Sequence, residues 1–150
     1  MPLTRLTYYS TRKIPPQEGF RTIKSILDAS IRNNARDGIT GYMIFDDRIF
    51  AQILEGETAV VSRTYDRIGA DPRHGDLVLL ERRPQATRAF PNWAMGATLF
   101  LDEMKDVMSK RGMTTLDPSK LGPAGVLGLA QALHAREQAR KPAQRMPTAR

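Results

Sequence analysis

The chain contains no cysteine and only two histidines, His74 and His134. The missing thiols exclude disulfides, thiolate metal sites and cysteine nucleophiles, and agree with a reducing compartment. Two isolated imidazoles cannot supply a histidine cluster for zinc. Neither Ser10 nor Ser62 has a histidine near it in sequence to act as base, and no G-x-G-x-x-G or Walker run follows a strand pattern. The opening residues Met1-Pro2-Leu3-Thr4-Arg5-Leu6 carry no apolar stretch long enough for a signal peptide or membrane span, so a soluble, cytoplasmic protein is expected. Together these absences point away from hydrolytic chemistry and from thiolate- or histidine-ligated metal sites.

Positive charge is plentiful. The 150 residues carry a net charge of +7, and residues 101–150 hold nine Lys or Arg against five Asp or Glu. The basic residues are scattered rather than clustered, which reads as an ordinary solvated surface; nucleic acid is a disfavoured partner. The length suits one domain with a modest core and an appendage.

Periodicity predicts the order of elements. Residues 3–8 alternate as a strand, with Leu6 and Tyr8 on one face, and Ile14-Pro15-Pro16 breaks it. A helix over 19–34 places Ile23, Ile26, Leu27 and Ile31 on one stripe that continues to Asn34, either turned inward or acting in the C-cap. Strands follow over 40–45 and 48–54, then a helix over 58–68, a strand over 76–82, a loop at 90–93 and a fifth strand over 94–101. The pattern is an α+β, ferredoxin-like βαββαβ sandwich with a fifth strand. Residues 102–110 and 123–140 read as a small helical extension too short for its own core, which should pack on the open face of the sheet. His134 is expected at the surface. The organisation is then a domain over 1–101, a helical output or capping extension over 102–141, and a basic tail over 142–150 expected to be disordered.

The polar residue that stands out is Gln52, inside Arg48-Ile49-Phe50-Ala51-Gln52-Ile53-Leu54. A buried amide without partners costs about 1–3 kcal/mol, so Gln52 needs neighbours. It offers both donor and acceptor without taking up charge, which suits reading a neighbour's hydrogen bonds better than acid–base catalysis. Strands one and three are adjacent in this fold, so Tyr8 and Gln52 face the same helices. Read singly, Tyr8 is an ordinary core tyrosine, Trp93 a packing anchor and Met95 a core residue. Spacing supports only a polar pocket between sheet and helices, suited to a planar heterocycle.

Longer pieces carry more. Residues 3–10 (LTRLTYYS), 33–41 (NNARDGITG), 50–56 (FAQILEG), 71–74 (DPRH) and 90–96 (FPNWAMG), in that order, closely resemble the BLUF domain, the blue-light sensors that use FAD. The resemblance covers residues 1–101. It implies a non-covalent FAD between the two helices, with FMN or riboflavin as substitutes. Tyr8 matches the photoactive tyrosine, Gln52 the switching glutamine, and Asn34 the asparagine on the ring's polar edge. Asn33 matches a position that varies among members. Asp71, Arg73 and His74 match positions near the ring edge or the phosphate-bearing tail, Trp93 and Met95 the segment that senses the glutamine, and Ile23, Ile31 and Phe50 apolar lining. The implied activity is photoinduced proton-coupled electron transfer between Tyr8 and FAD that rearranges Gln52, signalling to a separate protein such as a cyclic-dinucleotide enzyme or another regulator. A membrane partner is not expected, and self-association stays open. Beside this stand a light-independent flavin redox protein and a ferredoxin-like regulatory or nucleic-acid-binding module.

Overall fold

The computed structural model describes residues 2–11, 19–46, 48–72, 75–91, 96–97 and 101–139, without the side chains of 19–20, 96–97 and 101–103. The chain runs β1 (Leu3–Thr11), α1 (Gly19–Asp37), β2 (Thr40–Phe45), β3 (Ile49–Glu57), α2 (Thr58–Gly69), β4 (Val78–Gln85), β5 (Gly96–Ala97), α3 (Leu101–Lys110) and α4 (Pro118–Gln138). The sheet order is β4-β1-β3-β2-β5, antiparallel except for the β2–β5 pair. The fold is the ferredoxin-like α+β core followed by extra helices. Among the described residues no helix is long and apolar enough to cross a membrane.

Two apolar layers follow from strand alternation. Leu6, Tyr8, Met43, Phe50 and Leu54 pack against Ile23, Ile26 and Leu27 of α1 and Val61 of α2. The intervening residues Tyr42, Ile44, Ala51 and Ile53 face the other way, against Met104, Val107 and Met108 of α3 and Val126, Leu129 and Leu133 of α4. β3 is therefore buried on both faces, at seven consecutive positions. Helices α3 and α4 cover what would otherwise be an open sheet face.

Local chemistry fixes the ends. Helix α1 stops at Gly38, whose φ of 72° suits a residue without Cβ, and the Ile39 N–H returns 2.9 Å to the Asn34 carbonyl. That is a Schellman closure, in which the sixth residue's N–H bonds the first residue's C=O. Asn34 thus lies inside the helix, its backbone serving the cap while its side chain is buried. The β2–β3 hairpin lacks Asn-Gly, and Asp46 closes it: its Oδ1 accepts the N–H groups of Arg48 and Ile49, each at 2.8 Å.

Several boundaries differ from the sequence expectation. β1 extends to Thr11 because Ile49 pairs with it, and β3 runs on to Glu57 opposite Leu3. β4 lies at 78–85 and includes Pro84, tolerated because this is an edge strand. Of the expected fifth strand, the described residues Gly96–Ala97 pair parallel with Tyr42 and Met43, Leu101 already belongs to α3, and 94–95 and 98–100 lie outside the described residues. Helix α4 starts at Pro118 and breaks at Gly122, where φ is 69°, before resuming at Pro123. His134 is half-buried rather than exposed: its ring meets Tyr42 and Phe90, each at 5.7 Å. The Pro15-Pro16 break and the tail from 140 lie outside the described residues.

Gly41 is required by close approach. A Cβ there would sit 1.9 Å from the Ile53 carbonyl oxygen, inside the β2–β3 ladder. Gly41→Ala should therefore destabilise the fold by about 3 kcal/mol or more, read as a lower urea midpoint.

Candidate functional site

The β1–β3 register sets Tyr8 directly opposite Gln52, and the β2–β3 register sets Met43 on Gln52's other side. Tyr8 is 0% exposed and Gln52 4%. The Tyr8 hydroxyl donates a hydrogen bond to Gln52 Oε1. The Tyr65 ring meets that of Tyr8 edge-on, with centroids 5.4 Å apart at 66°. Burial drives the Tyr8 phenol far above its ordinary pKa, and Tyr65 and the Asp71 carboxylate push it further the same way. Tyr8 is therefore held as a neutral hydrogen-bond donor.

Gln52 also borders a cleft of about 240 Å³ between α1, α2 and the sheet. Its apolar walls are Ile26, Met43, Leu54 and Ile68, and its polar groups include Asn33, Asn34, Thr64, Arg67 and Asp71. Asn34 and Gln52 are both buried and both neutral. Each amide can present a donor and an acceptor to the same flat object. Arg67 and Asp71 add one charge of each sign at the end of α2, and Arg67 also lies 3.9 Å from Asp37 at the end of α1.

The structure thus brings together Tyr8, Asn33, Asn34, Gln52 and Asp71. Ile23 and Phe50 are buried, and Ile31 half-buried, in the apolar cluster beneath rather than on the cleft walls. Arg73, His74, Trp93 and Met95 lie outside the described residues. Sequence reasoning missed Met43 and Arg67. Met43 had no signal beyond alternation within β2, whereas Arg67 is displayed one helical turn before Asp71.

Residues 3–96 match the family model for BLUF, sensors of blue-light using FAD. The chain belongs to the BLUF family. Photoactivated adenylate cyclase subunit beta of Euglena gracilis is 34% identical over 94 residues, covering 62% of this chain and 11% of the relative. The chain thus spans about a tenth of the length of the curated relatives it first matches. Photo-activated BlsA superposes with a TM-score of 0.77 at 26% identity, over 87% of this chain and 94% of BlsA. BlrP1 of Klebsiella pneumoniae, in a manganese and cyclic di-GMP complex, gives 0.59 at 26% identity over 87% of this chain and 28% of BlrP1. In this BLUF chain, no group of three or more His, Cys, Asp or Glu able to hold a metal occurs among the described residues.

The Tyr8 environment has a pH consequence. A phenol whose pKa is raised by folding binds its proton more tightly folded than unfolded, so its contribution is complete below about pH 10 and is lost as pH rises beyond that. At about pH 11 the folded protein and its Tyr8→Phe variant should show equal phenolate absorbance, since Tyr8 itself has not ionised. A larger signal in the unsubstituted protein would contradict this.

Proposed function

We propose that this chain is a blue-light receptor in which proton-coupled electron transfer from Tyr8 to bound FAD rearranges Gln52, and that the change is passed to a separate protein. The observation that carries this reading is the Tyr8–Gln52 hydrogen bond at the edge of a cleft lined by neutral amides. The cleft suits the group. Its volume is below the roughly 300–1,000 Å³ that encloses a whole drug-sized ligand, so it seats a ring system while the dinucleotide tail runs outward. Asn33, Asn34 and Gln52 would hold the ring's polar edge, Ile26, Met43, Leu54 and Ile68 its faces, and Asp71 the end toward α2. Ile23, Ile31 and Phe50 back these walls.

Bound FAD would supply absorption of blue light and, once excited, a strong one-electron oxidant. Tyr8 contributes an electron from its ring and a proton from its hydroxyl. Gln52 Oε1 already accepts that hydroxyl's hydrogen bond, so the proton has its route before light arrives. Met43 lies across the ladder from Gln52, and the amide can respond by turning about its own bonds or by shifting a proton between nitrogen and oxygen. Either change exchanges the donor and acceptor ends shown to the ring. The electron and the proton then return to Tyr8 while Gln52 keeps its new arrangement, so every member ends neutral and no buried charge remains to be stabilised.

Residues 1–101 would be the sensor, 102–141 the output helices, and 142–150 a basic tail. Euglena gracilis photoactivated adenylate cyclase is by its name a cyclase, and BlrP1 is seen with cyclic di-GMP. A cyclic-nucleotide or cyclic-dinucleotide enzyme is the class of partner this supports.

The test is the absorption spectrum of the FAD-loaded protein before and immediately after blue light. A reversible red shift is expected. Tyr8→Phe should retain FAD and abolish the shift, and an unchanged shift in that variant would remove Tyr8 from the reaction. Gln52→Ala should bind FAD without the normal photoproduct. Asn34→Ala should weaken FAD binding about tenfold, equivalent to about 1.4 kcal/mol, measured by titration.

A further inference from the structure

The face of β3 turned away from Gln52 carries a carboxylate, and it is buried. Glu55 is 1% exposed and lies three residues beyond Gln52, about 10 Å along the strand. Its Oε1 accepts the Phe90 N–H at 2.9 Å, and its Oε2 accepts the Ala89 N–H at 2.9 Å and Arg5 Nε at 3.2 Å. Arg88 fastens the same segment from the other side. Its guanidinium donates to the carbonyls of Gly38 at 2.9 Å and Glu55 at 3.1 Å, and to Thr40 Oγ1 at 2.9 Å. Residues 88–90 are thus tied to β1, β3 and the α1–β2 turn by charge-assisted bonds, about twice as strong as neutral ones.

The tie continues outward through Phe90, which is fully buried. Its ring stacks on Tyr42 at 5.5 Å and 29°, and His134 of α4 meets both rings edge-on. The Tyr42 hydroxyl donates to Glu137 Oε2 at 3.3 Å, one helical turn further along α4. The contacts form one chain from the strand of Gln52 to the last turns of α4, and every link is a directional hydrogen bond or a ring face.

We propose that Glu55 is a positioning residue for signal output: its carboxylate couples β3 to Ala89 and Phe90, and Phe90 passes any displacement of β3 to α4 through Tyr42 and His134. The inference rests on the light-driven change at Gln52 proposed above. A shift of the β3 backbone at Gln52 carries Glu55 with it. Two consecutive N–H groups held by one carboxylate follow that movement rather than slip, and the Phe90 ring then repacks against His134. Coupling along this chain of contacts means that a change at Gln52 alters the equilibrium of α4, which hydrogen exchange reads directly.

The experiment compares the FAD-loaded full chain with Glu55→Gln and with Phe90→Leu. Each is measured by light-minus-dark absorption and by light-minus-dark amide hydrogen exchange over residues 126–138. Glu55→Gln retains one acceptor oxygen but loses the charge and the second acceptor. Phe90→Leu retains the backbone tie and removes the ring. Both substitutions lie on the sheet face opposite Tyr8, so both variants should keep the full red shift while their exchange difference on α4 falls at least twofold. Absence of the red shift in the unsubstituted protein would instead remove the underlying light reaction. With the red shift present, an unsubstituted protein lacking any exchange difference on α4, or variants with an undiminished one, overturns the role of Glu55. If Glu55→Gln fails to fold, Phe90→Leu decides alone by the same criterion.

Discussion

One antiparallel ladder, nine residues long, sets Tyr8 against Gln52 and Arg5 against Glu55. Both pairs depend on the same register, and they lie on opposite faces because side chains alternate along a strand. A slip of one residue would turn Gln52 toward α4 and Glu55 toward the cleft. Such a slip is strongly resisted, since β3 is buried at seven consecutive positions and every apolar side chain would change layers with the two polar ones. The apolar packing of β3 therefore does more than stabilise the sheet. It selects the single register in which an amide faces a phenol and a carboxylate faces a guanidinium.

How much of this was legible in the sequence depends on how local each signal is. The face of Gln52 follows from strand alternation, and its nearness to Tyr8 follows once β1 and β3 are neighbours. The stripe of α1 was visible up to Asn34 because Ile23, Ile26, Leu27 and Ile31 repeat at helical spacing. Ala35, Arg36 and Asp37 carry no apolar signal, and they are helical because Gly38 closes the Schellman turn back onto Asn34. That Gly96 and Ala97 pair parallel with Tyr42 and Met43 follows from no window of sequence, because the partner strand lies more than fifty residues earlier.

Glu55 and His134 were harder still. Glu55 beside Gly56 and Glu57 reads as the polar end of a strand, and its burial is explained only by partners 34, 35 and 50 residues away. His134 sits among polar residues of α4, yet its ring fills the angle between Tyr42 and Phe90. Burial holds its imidazole below the ordinary pKa, so the ring packs in the neutral form. In both cases the side chain's chemistry argues for solvent, and tertiary contacts between distant segments overrule it. The cleft lies between these extremes, because each amide was visible and their convergence needed the helix and the strand to be placed together.

The two faces of β3 use opposite electrostatics, and the difference matches the roles proposed for them. A switch needs two arrangements close in energy, so that a modest perturbation changes which is occupied. Neutral amides and a phenol meet that need: exchanging donor for acceptor breaks and remakes bonds worth about 0.5–1.5 kcal/mol each. A linkage needs the reverse, a single arrangement with no near competitor. A buried carboxylate supplies it, because letting go of its partners leaves an uncompensated charge at a cost of about 3–5 kcal/mol. Gln52 on one face is free to change its hydrogen bonds at small cost, and Glu55 on the other cannot follow suit. Under the proposed light reaction, a rearrangement beside the cleft would therefore be delivered to Phe90 and α4 as movement of the backbone rather than dissipated in a second set of exchanging bonds.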